Sequence, residues 1–275
     1  MRTFPCAKIN LGLNIVEKRP DGYHNLETVF LAVDVCDTLT VEVTEGATGC
    51  TLYVNGTEVT EHPEQNLVVK AYNILALDFQ LPHVIARLQK DIPMQAGMGG
   101  GSADAAFMLR MLNEQLSLQL TIPQLQAYAA RLGADCAFFI DPVPSYATGI
   151  GEILTPLEGG IPALHDKWLA LVKPNVAVST KEAFAGITPS KPQYNCFETL
   201  QQPIETWRER LTNDFEDSIF PLLPQLKEVK EMLYSKGALY AAMSGSGSTV
   251  FGIFDSEPAW VLDTYHDCFR KNIKL

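Results

Sequence analysis

Pro93-Met94-Gln95-Ala96-Gly97-Met98-Gly99-Gly100-Gly101-Ser102-Ala103-Asp104-Ala105-Ala106 decides how this chain is read. Four glycines run into Ser102 and an alanine-rich apolar stretch that reaches Leu112. Glycine lets a backbone fold back tightly and bring its N–H groups against a ligand with no Cβ in the way. The helix predicted next, capped by Ser102, leaves its first N–H groups unpaired at the positive end of its dipole, where an anion is favoured. Loop and helix together read as a phosphate cradle. The competing reading is a flexible linker, which would not follow a strand-like segment (Val84 to Gln89) and end in a serine cap.

Two commoner phosphate loops do not fit. The P-loop ends in Gly-Lys-Ser/Thr, whereas Gly101-Ser102 is followed by Ala103. A dinucleotide fingerprint closes the first strand of its fold, whereas Gly97-x-Gly99 comes far into the chain and position 102 is not glycine.

Upstream, residues 8–15 alternate. Ile9, Leu11, Leu13 and Ile15 are apolar; Lys8, Asn10, Gly12 and Asn14 are polar or small. Period two marks a strand with one buried face and sets Lys8, Asn10 and Asn14 in a row on the other. Periodicity alone fits either a solvated face or a row turned towards a site. Arg19-Pro20-Asp21-Gly22-Tyr23-His24 is then a turn that delivers an aromatic ring and an imidazole side by side.

Composition sets outer limits. The chain has 275 residues, 47% hydrophobic and 19% charged, which suits a globular, two-domain protein. A net charge of −11 offers no general attraction to nucleic acid or anionic membrane. The six cysteines show no metal spacing and read as reduced thiols. No apolar run approaches a membrane span and no signal-peptide core opens the chain, so a cytoplasmic protein is expected.

The Pro-x-x-x-Gly-hydrophobic-Gly-Gly-Gly-Ser-x-x-Ala-Ala form resembles the ATP-binding motif of the GHMP kinases, small-molecule kinases without a Walker lysine. Pro5 to Leu13 and Arg19 to His24 resemble the branch of that superfamily that phosphorylates a cytidine diphosphate derivative of methylerythritol in isoprenoid biosynthesis. Gly133-Ala134-Asp135-Cys136-Ala137-Phe138-Phe139, Ala147 to Glu152, Asn213-Asp214-Phe215-Glu216 and Met243 to Ser248 extend the likeness along the chain. Departures are Ala137 for the usual proline, Ile150 for arginine, and Ala103-Asp104 for Ser-Asn.

The resemblance implies an α+β, two-lobed fold: an N-terminal ribosomal-S5-like lobe over 1–158 that binds ATP, and a C-terminal ferredoxin-like lobe over 159–275. It also implies ATP and Mg²⁺, with no direct protein ligand assigned to the metal. Lys8 and Asp135 are the implied catalytic pair, although from sequence alone Asp135 reads as readily as a helix cap or turn residue. Gly97, Gly99, Gly100, Gly101 and Ser102 would hold phosphates, and Asn66, Lys90 and Met94 match adenine-pocket positions. Asn10, Tyr23, His24, Thr180 and Phe184 would bind the small-molecule substrate, with Tyr23 and Phe184 as stacking walls and His24 hydrogen-bonding the base. Asp141, Asp214 and Glu216 read as surface or capping carboxylates. Another GHMP kinase, acting on homoserine, mevalonate or a sugar, and a non-catalytic nucleotide-binding regulator are the competing functions. Monomer and homodimer stay open.

Secondary-structure signals place strands at 6–16, 28–43, 51–60, 84–90, 145–154, 168–173, 239–243 and 249–254. Helices are expected from Asn66 to about 77, from the glycine loop to about 116, and from 121 to Gly133. Further helices are expected from Ser179, at 203–216 and 220–236, and from Glu257 to the end.

Overall fold

A computed structural model describes residues 1–275. In chain order the first half comprises β1 (Arg2–Thr3), β2 (Cys6–Lys18), β3 (His24–Cys36), β4 (Thr38–Thr44), β5 (Cys50–Val54), β6 (Thr57–Glu58), α1 (Leu67–Ala76), β7 (His83–Gln89), α2 (Gly100–Gln115) and α3 (Ile122–Ala130). A 3₁₀ turn, Ala134–Ile140, follows. The second half comprises β8 (Ser145–Thr148), β9 (Ile153–Pro156), β10 (Trp168–Lys173), α4 (Thr180–Ala185), α5 (Cys196–Leu200), α6 (Trp207–Arg210), α7 (Phe215–Ile219), α8 (Pro224–Ser235), β11 (Tyr240–Met243), β12 (Val250–Phe254), α9 (Trp260–Thr264) and β13 (Phe269–Lys274). The class is α+β, as the sequence predicts.

Packing divides the chain into two compact units that interleave along it. One holds Met1–Ala7, Asp34–Met94 and Gly99–Pro142; the other holds Lys8–Val33, Gln95–Met98 and Val143–Leu275.

The first unit is built on the sheet β1-β4-β7-β5-β6, antiparallel except for the parallel β5–β7 pair. Leu39, Val41, Leu52, Val84, Ala86 and Leu88 are buried on its inner face. Helices α1 and α2 pack side by side, α1 against β5 and α2 against β4. Asn66 caps α1, its side chain accepting from Val68 N at 2.9 Å. A capping box between Thr121 and Gln124 starts α3.

The second unit holds two sheets, β2-β3-β8-β9 and the antiparallel β11-β12-β10-β13. Helix α8 lies on β11 and β12, and Ala170, Val172, Leu226, Leu233, Ala241, Met243 and Val250 form the core with Leu13 and Ile15 of β2. Both faces of β2 are buried, so the polar row Lys8, Asn10 and Asn14 is not a solvated face.

Six expectations need correction. The strand expected over 145–154 is the antiparallel pair β8 and β9, and the helix expected over 203–216 is broken into α6 and the start of α7. The strand expected over 28–43 breaks at Asp37, whose buried carboxylate accepts N–H bonds from Asp91 and Ile92 at 2.6 and 2.8 Å; hydropathy alternation carries no sign of such a long-range partner. Helix α3 ends at Ala130, and Gly133 is extended (φ 172°), with no left-handed cap. Helix α2 is capped by Gly99 in the left-handed region (φ 69°), which places Ser102 inside its first turn. The helix expected from Glu257 is short, and residues 269–274 form β13 against β10, covering an otherwise open strand edge. Only Ile273 of β13 is buried, so the strand has little apolar pattern to betray it.

Candidate active site

Within the second unit, β2 delivers Lys8 and Asn10 to the start of the glycine loop and to the loop after β11. Lys8 is 3% exposed. Its Nζ donates to Asn10 Oδ1 at 2.7 Å and to Gly97 O at 3.3 Å, and lies 5.1 Å from the centre of the Phe30 ring. Its backbone N–H donates to Met98 O at 3.0 Å. Acceptors on two sides hold this buried amine in a fixed direction, as an electrostatic role requires. Asn10 Nδ2 donates to Thr28 Oγ1 at 3.0 Å, and Thr28 Oγ1 donates in turn to Gly12 O at 2.5 Å.

Ser244 joins the same cluster. Its hydroxyl donates to Gly97 O at 2.9 Å and accepts from Asn10 N at 3.2 Å. Gly97 has φ 72°, and a Cβ there would stand 2.0 Å from Ser244 O, so glycine is required on both counts. Asn213 Nδ2 donates to Met243 O and Gly245 O at 2.7 and 2.8 Å, fixing the loop that carries Ser244. Asn213 and Ser244 lie in segments that carry the family resemblance, but the sequence alone assigns neither a role. Two serine-glycine repeats and an Asn-Asp pair were the available signal.

The carboxylates beside that loop are also not surface groups. Glu216 is buried; its Oε1 accepts from Met243 N at 2.8 Å, and its Oε2 meets Lys230 Nζ at 2.5 Å. Burial pushes its carboxyl above the ordinary value, against the pull of Lys230. Asp214 accepts from Ile15 N at 2.7 Å, tying β2 to the segment before α7.

The proposed base-binding residues also lie in the second unit. Tyr23 is 60% exposed on its turn, where Asp21 accepts its backbone N–H and pairs with Arg19. His24 stacks directly on Phe184, with ring centres 4.9 Å apart and planes 15° from parallel, leaving no room for a third ring between them. Phe215 meets Phe184 edge-on at 4.8 Å. Thr180 Oγ1 lies 3.3 Å from Ser246 Oγ. The face of Phe184 is thus covered by His24, where sequence reading sets the imidazole beside the base and leaves the ring open.

The first unit carries the remainder of the glycine loop. The first intrahelical bond of α2 runs from Ala103 N to Gly99 O, so the N–H groups of Gly100, Gly101 and Ser102 have no helical acceptor. No side chain caps this end. The Ser102 hydroxyl lies within reach of the Cys136 thiol, which burial pushes up to about 11. Asp135 sits in the 3₁₀ turn that packs against α2 and α3. Met94 is 77% exposed, suiting a surface against which a planar base can lie, whereas the Asn66 side chain is occupied as a helix cap. Lys90 bridges two carboxylates: its Nζ donates to Asp37 Oδ2 and, at 2.7 Å, to Asp104 Oδ2. Burial alone would lower the Lys90 ammonium, but Asp104 and Asp37 outweigh it and raise it. Burial pushes Asp104 up to about 7, with Asp37 adding to the rise and Lys90 opposing it.

No group of three His, Cys, Asp or Glu side chains converges anywhere in the chain. A protein cage for a divalent cation is therefore not built in. Such a chain fits Mg²⁺ in the manner usual for that ion at a nucleotide, held chiefly by phosphates and water. No helix is long and apolar enough to cross a membrane.

Comparisons with known proteins place the whole chain in one family. Residues 66–146 match the GHMP kinases N terminal domain, and residues 196–259 match the GHMP kinases C terminal domain. The chain is 53% identical over 258 residues to the 4-diphosphocytidyl-2-C-methyl-D-erythritol kinase of Bacteroides fragilis, covering 94% of this chain and 93% of the relative. It is 47% identical to the enzyme of the same name from Parabacteroides distasonis, covering 98% and 97%. A crystal structure of 4-(cytidine 5'-diphospho)-2C-methyl-D-erythritol kinase superposes with a TM-score of 0.82 at 29% identity, covering 99% of this chain and 98% of the other.

Proposed function

We propose that this chain, which belongs to the GHMP kinases and among them to the 4-diphosphocytidyl-2-C-methyl-D-erythritol kinase family, transfers the γ-phosphoryl group of ATP to the 2-hydroxyl of 4-diphosphocytidyl-2-C-methyl-D-erythritol. The product is the 2-phosphate, an intermediate of isopentenyl diphosphate synthesis by the methylerythritol phosphate route, made in the cytoplasm. The carrying observation is the likeness over nearly the whole chain to kinases of that name.

The reaction asks for positioning and for relief of charge. The substrate hydroxyl oxygen bonds to the γ-phosphorus, the bond from that phosphorus to the β,γ-bridging oxygen breaks, and ADP leaves. N–H groups at the start of α2 are supplied for phosphate oxygens, since Gly99 to Ser102 put no side-chain cap in their way. Mg²⁺, when bound, would neutralise phosphate charge that an acidic chain cannot cover with lysines and arginines alone. Asp135 takes the proton of the attacking hydroxyl. Lys8, held by Asn10 and Gly97, presents a fixed positive charge to the oxygens that gain charge during transfer. Asn10 orients the methylerythritol hydroxyls. Tyr23, His24, Thr180 and Phe184 select the cytosine end, and Met94, Asn66 and Lys90 border the adenine.

The test is ADP release from Mg-ATP with the diphosphocytidyl substrate, beside mevalonate, homoserine and galactose. Turnover confined to the cytidine compound is expected. Turnover with another alcohol would move the chain to a different branch of the family. ATP binding with silence towards every alcohol would make it a nucleotide-responsive regulator.

A further inference from the structure

The Lys90 side chain carries three N–H donors, and two are engaged by Asp37 and Asp104. Side-chain exposure is 15% for Lys90, 0% for Asp37 and 3% for Asp104, so this is a buried charge cluster and not a surface pair. Its members bracket the phosphate loop. Lys90 stands just past the end of β7, where the loop begins, and Asp104 stands in the first turns of α2, where it ends.

The near end is fixed again by backbone bonds. Lys90 N donates to Asn55 Oδ1 at 2.8 Å, and Asp37 Oδ1 accepts from both Asp91 N and Ile92 N. The far end depends on Lys90: Asp104 Oδ2 takes the Lys90 bond and Asp104 Oδ1 has no partner at all. The glycine backbone also rests on this cluster. A Cβ on Gly100 would come 2.9 Å from Ile92 Cγ2 and 3.3 Å from Lys90 Nζ, so the loop passes over Lys90 in direct contact.

We propose that Lys90 is a positioning residue: clamped by Asp37 and Asp104, it ties the end of β7 to the start of α2 and fixes the glycine backbone for the phosphates of a nucleotide. This assignment rests on the kinase reading of the loop and departs from it in one respect. Lys90 acts on the phosphate loop through the protein, not on the adenine ring.

Base contact and loop positioning differ in what they discriminate. A side chain on the base affects ATP against GTP and leaves bare polyphosphate alone. One that holds the loop affects every phosphate chain alike. Inorganic tripolyphosphate, ATP and GTP are therefore the probes, with binding to the full chain measured by calorimetry.

In Lys90→Met, tripolyphosphate and ATP are expected to weaken by the same factor, at least about tenfold, with the ATP/GTP ratio unchanged. In turnover, KM for ATP rises while KM for the cytidine substrate does not. Lys90→Arg, which keeps a cation between the carboxylates, recovers part of the loss. Because Lys90→Met leaves two buried carboxylates uncompensated, Asp104→Leu is run beside it. That variant keeps the size of the side chain, removes an acceptor and an unpartnered oxygen, and leaves Lys90 balanced by Asp37. It too is expected to weaken tripolyphosphate.

Loss of ATP with tripolyphosphate spared would overturn the proposal in favour of an adenine contact. Unchanged binding of all three probes in a folded variant would overturn it as well, as would a wild type that does not bind tripolyphosphate. None of these outcomes needs turnover, so a wrong acceptor alcohol and a wrong role for Lys90 are told apart.

Discussion

At the scale of single residues, Asp135→Asn keeps the shape of the side chain and removes its capacity to take a proton. The kcat is expected to fall by roughly 10²- to 10⁴-fold, while ATP affinity measured by calorimetry stays near that of the wild type. An unchanged kcat would assign Asp135 to the turn alone. Gly97→Ala places a Cβ 2.0 Å from Ser244 O at a backbone angle L side chains rarely adopt. Loss of nucleotide binding together with a lower unfolding midpoint is expected, and an active, stable variant would show that the two loops can part. Asp104 makes a pH prediction. Its folded pKa is raised from 3.8 to about 7, so the folded state holds that proton more tightly than the unfolded state. The stabilisation from this is complete below pH 3.8 and is lost as pH rises through about 7. Asp104→Asn, which never ionises, should therefore gain on the wild type as pH rises from about 4 to about 7 in denaturant midpoints. A constant difference over that window would refute it. A strand's period of two makes it legible that Lys8 and Asn10 share one row; that the row is buried comes only from packing on both faces of β2. Asp37 and Ser244 were not legible, since each acquires its role from partners far along the chain.

At the scale of elements, the glycine loop and α2 could be read directly, because glycine and a run of alanines change the backbone's options locally. The break between β3 and β4 could not: β-propensity runs straight through it, and the buried bonds of Asp37 to Pro5, Lys90, Asp91 and Ile92 mark the division. Residues 269–274 were read as helix for a related reason, being one half-exposed edge strand whose identity comes from its neighbour β10. Asn66 separates two roles that sequence assigns to one residue. As the cap of α1 it accepts from Val68 N, so Asn66→Ala should cost about 1 kcal/mol in unfolding free energy while Asn66→Asp costs little. If KM for ATP rises more in Asn66→Asp than stability falls, the amide also meets the nucleotide; equal small changes would leave it a cap alone.

For the whole molecule, a net charge of −11 coexists with a reaction between two polyanions. Lys8 is buried in one unit and Lys90 in the other. Chelating divalent metal is expected to stop turnover and to leave the thermal midpoint of the ligand-free chain unmoved, because no three-ligand cluster binds metal into the fold. A lower midpoint on chelation would reveal a structural metal. The α+β class and the family could be read from motifs strung along the chain. The two compact units interleave along the chain, each drawing on separate stretches of it. That interleaving bears on how the protein is made. Lys8 and Asn10 leave a ribosome long before Ser244, yet Asn10 meets Ser244 across 234 positions. The strand that starts the site is synthesised first and completed last. Until the segment holding Ser244 emerges, Lys8 lacks that half of its surroundings, and a message cut short before it yields a chain whose phosphate loop is made but never closed. Long-range closure of this kind slows folding, and nascent chains of increasing length should acquire nucleotide binding in a single late step.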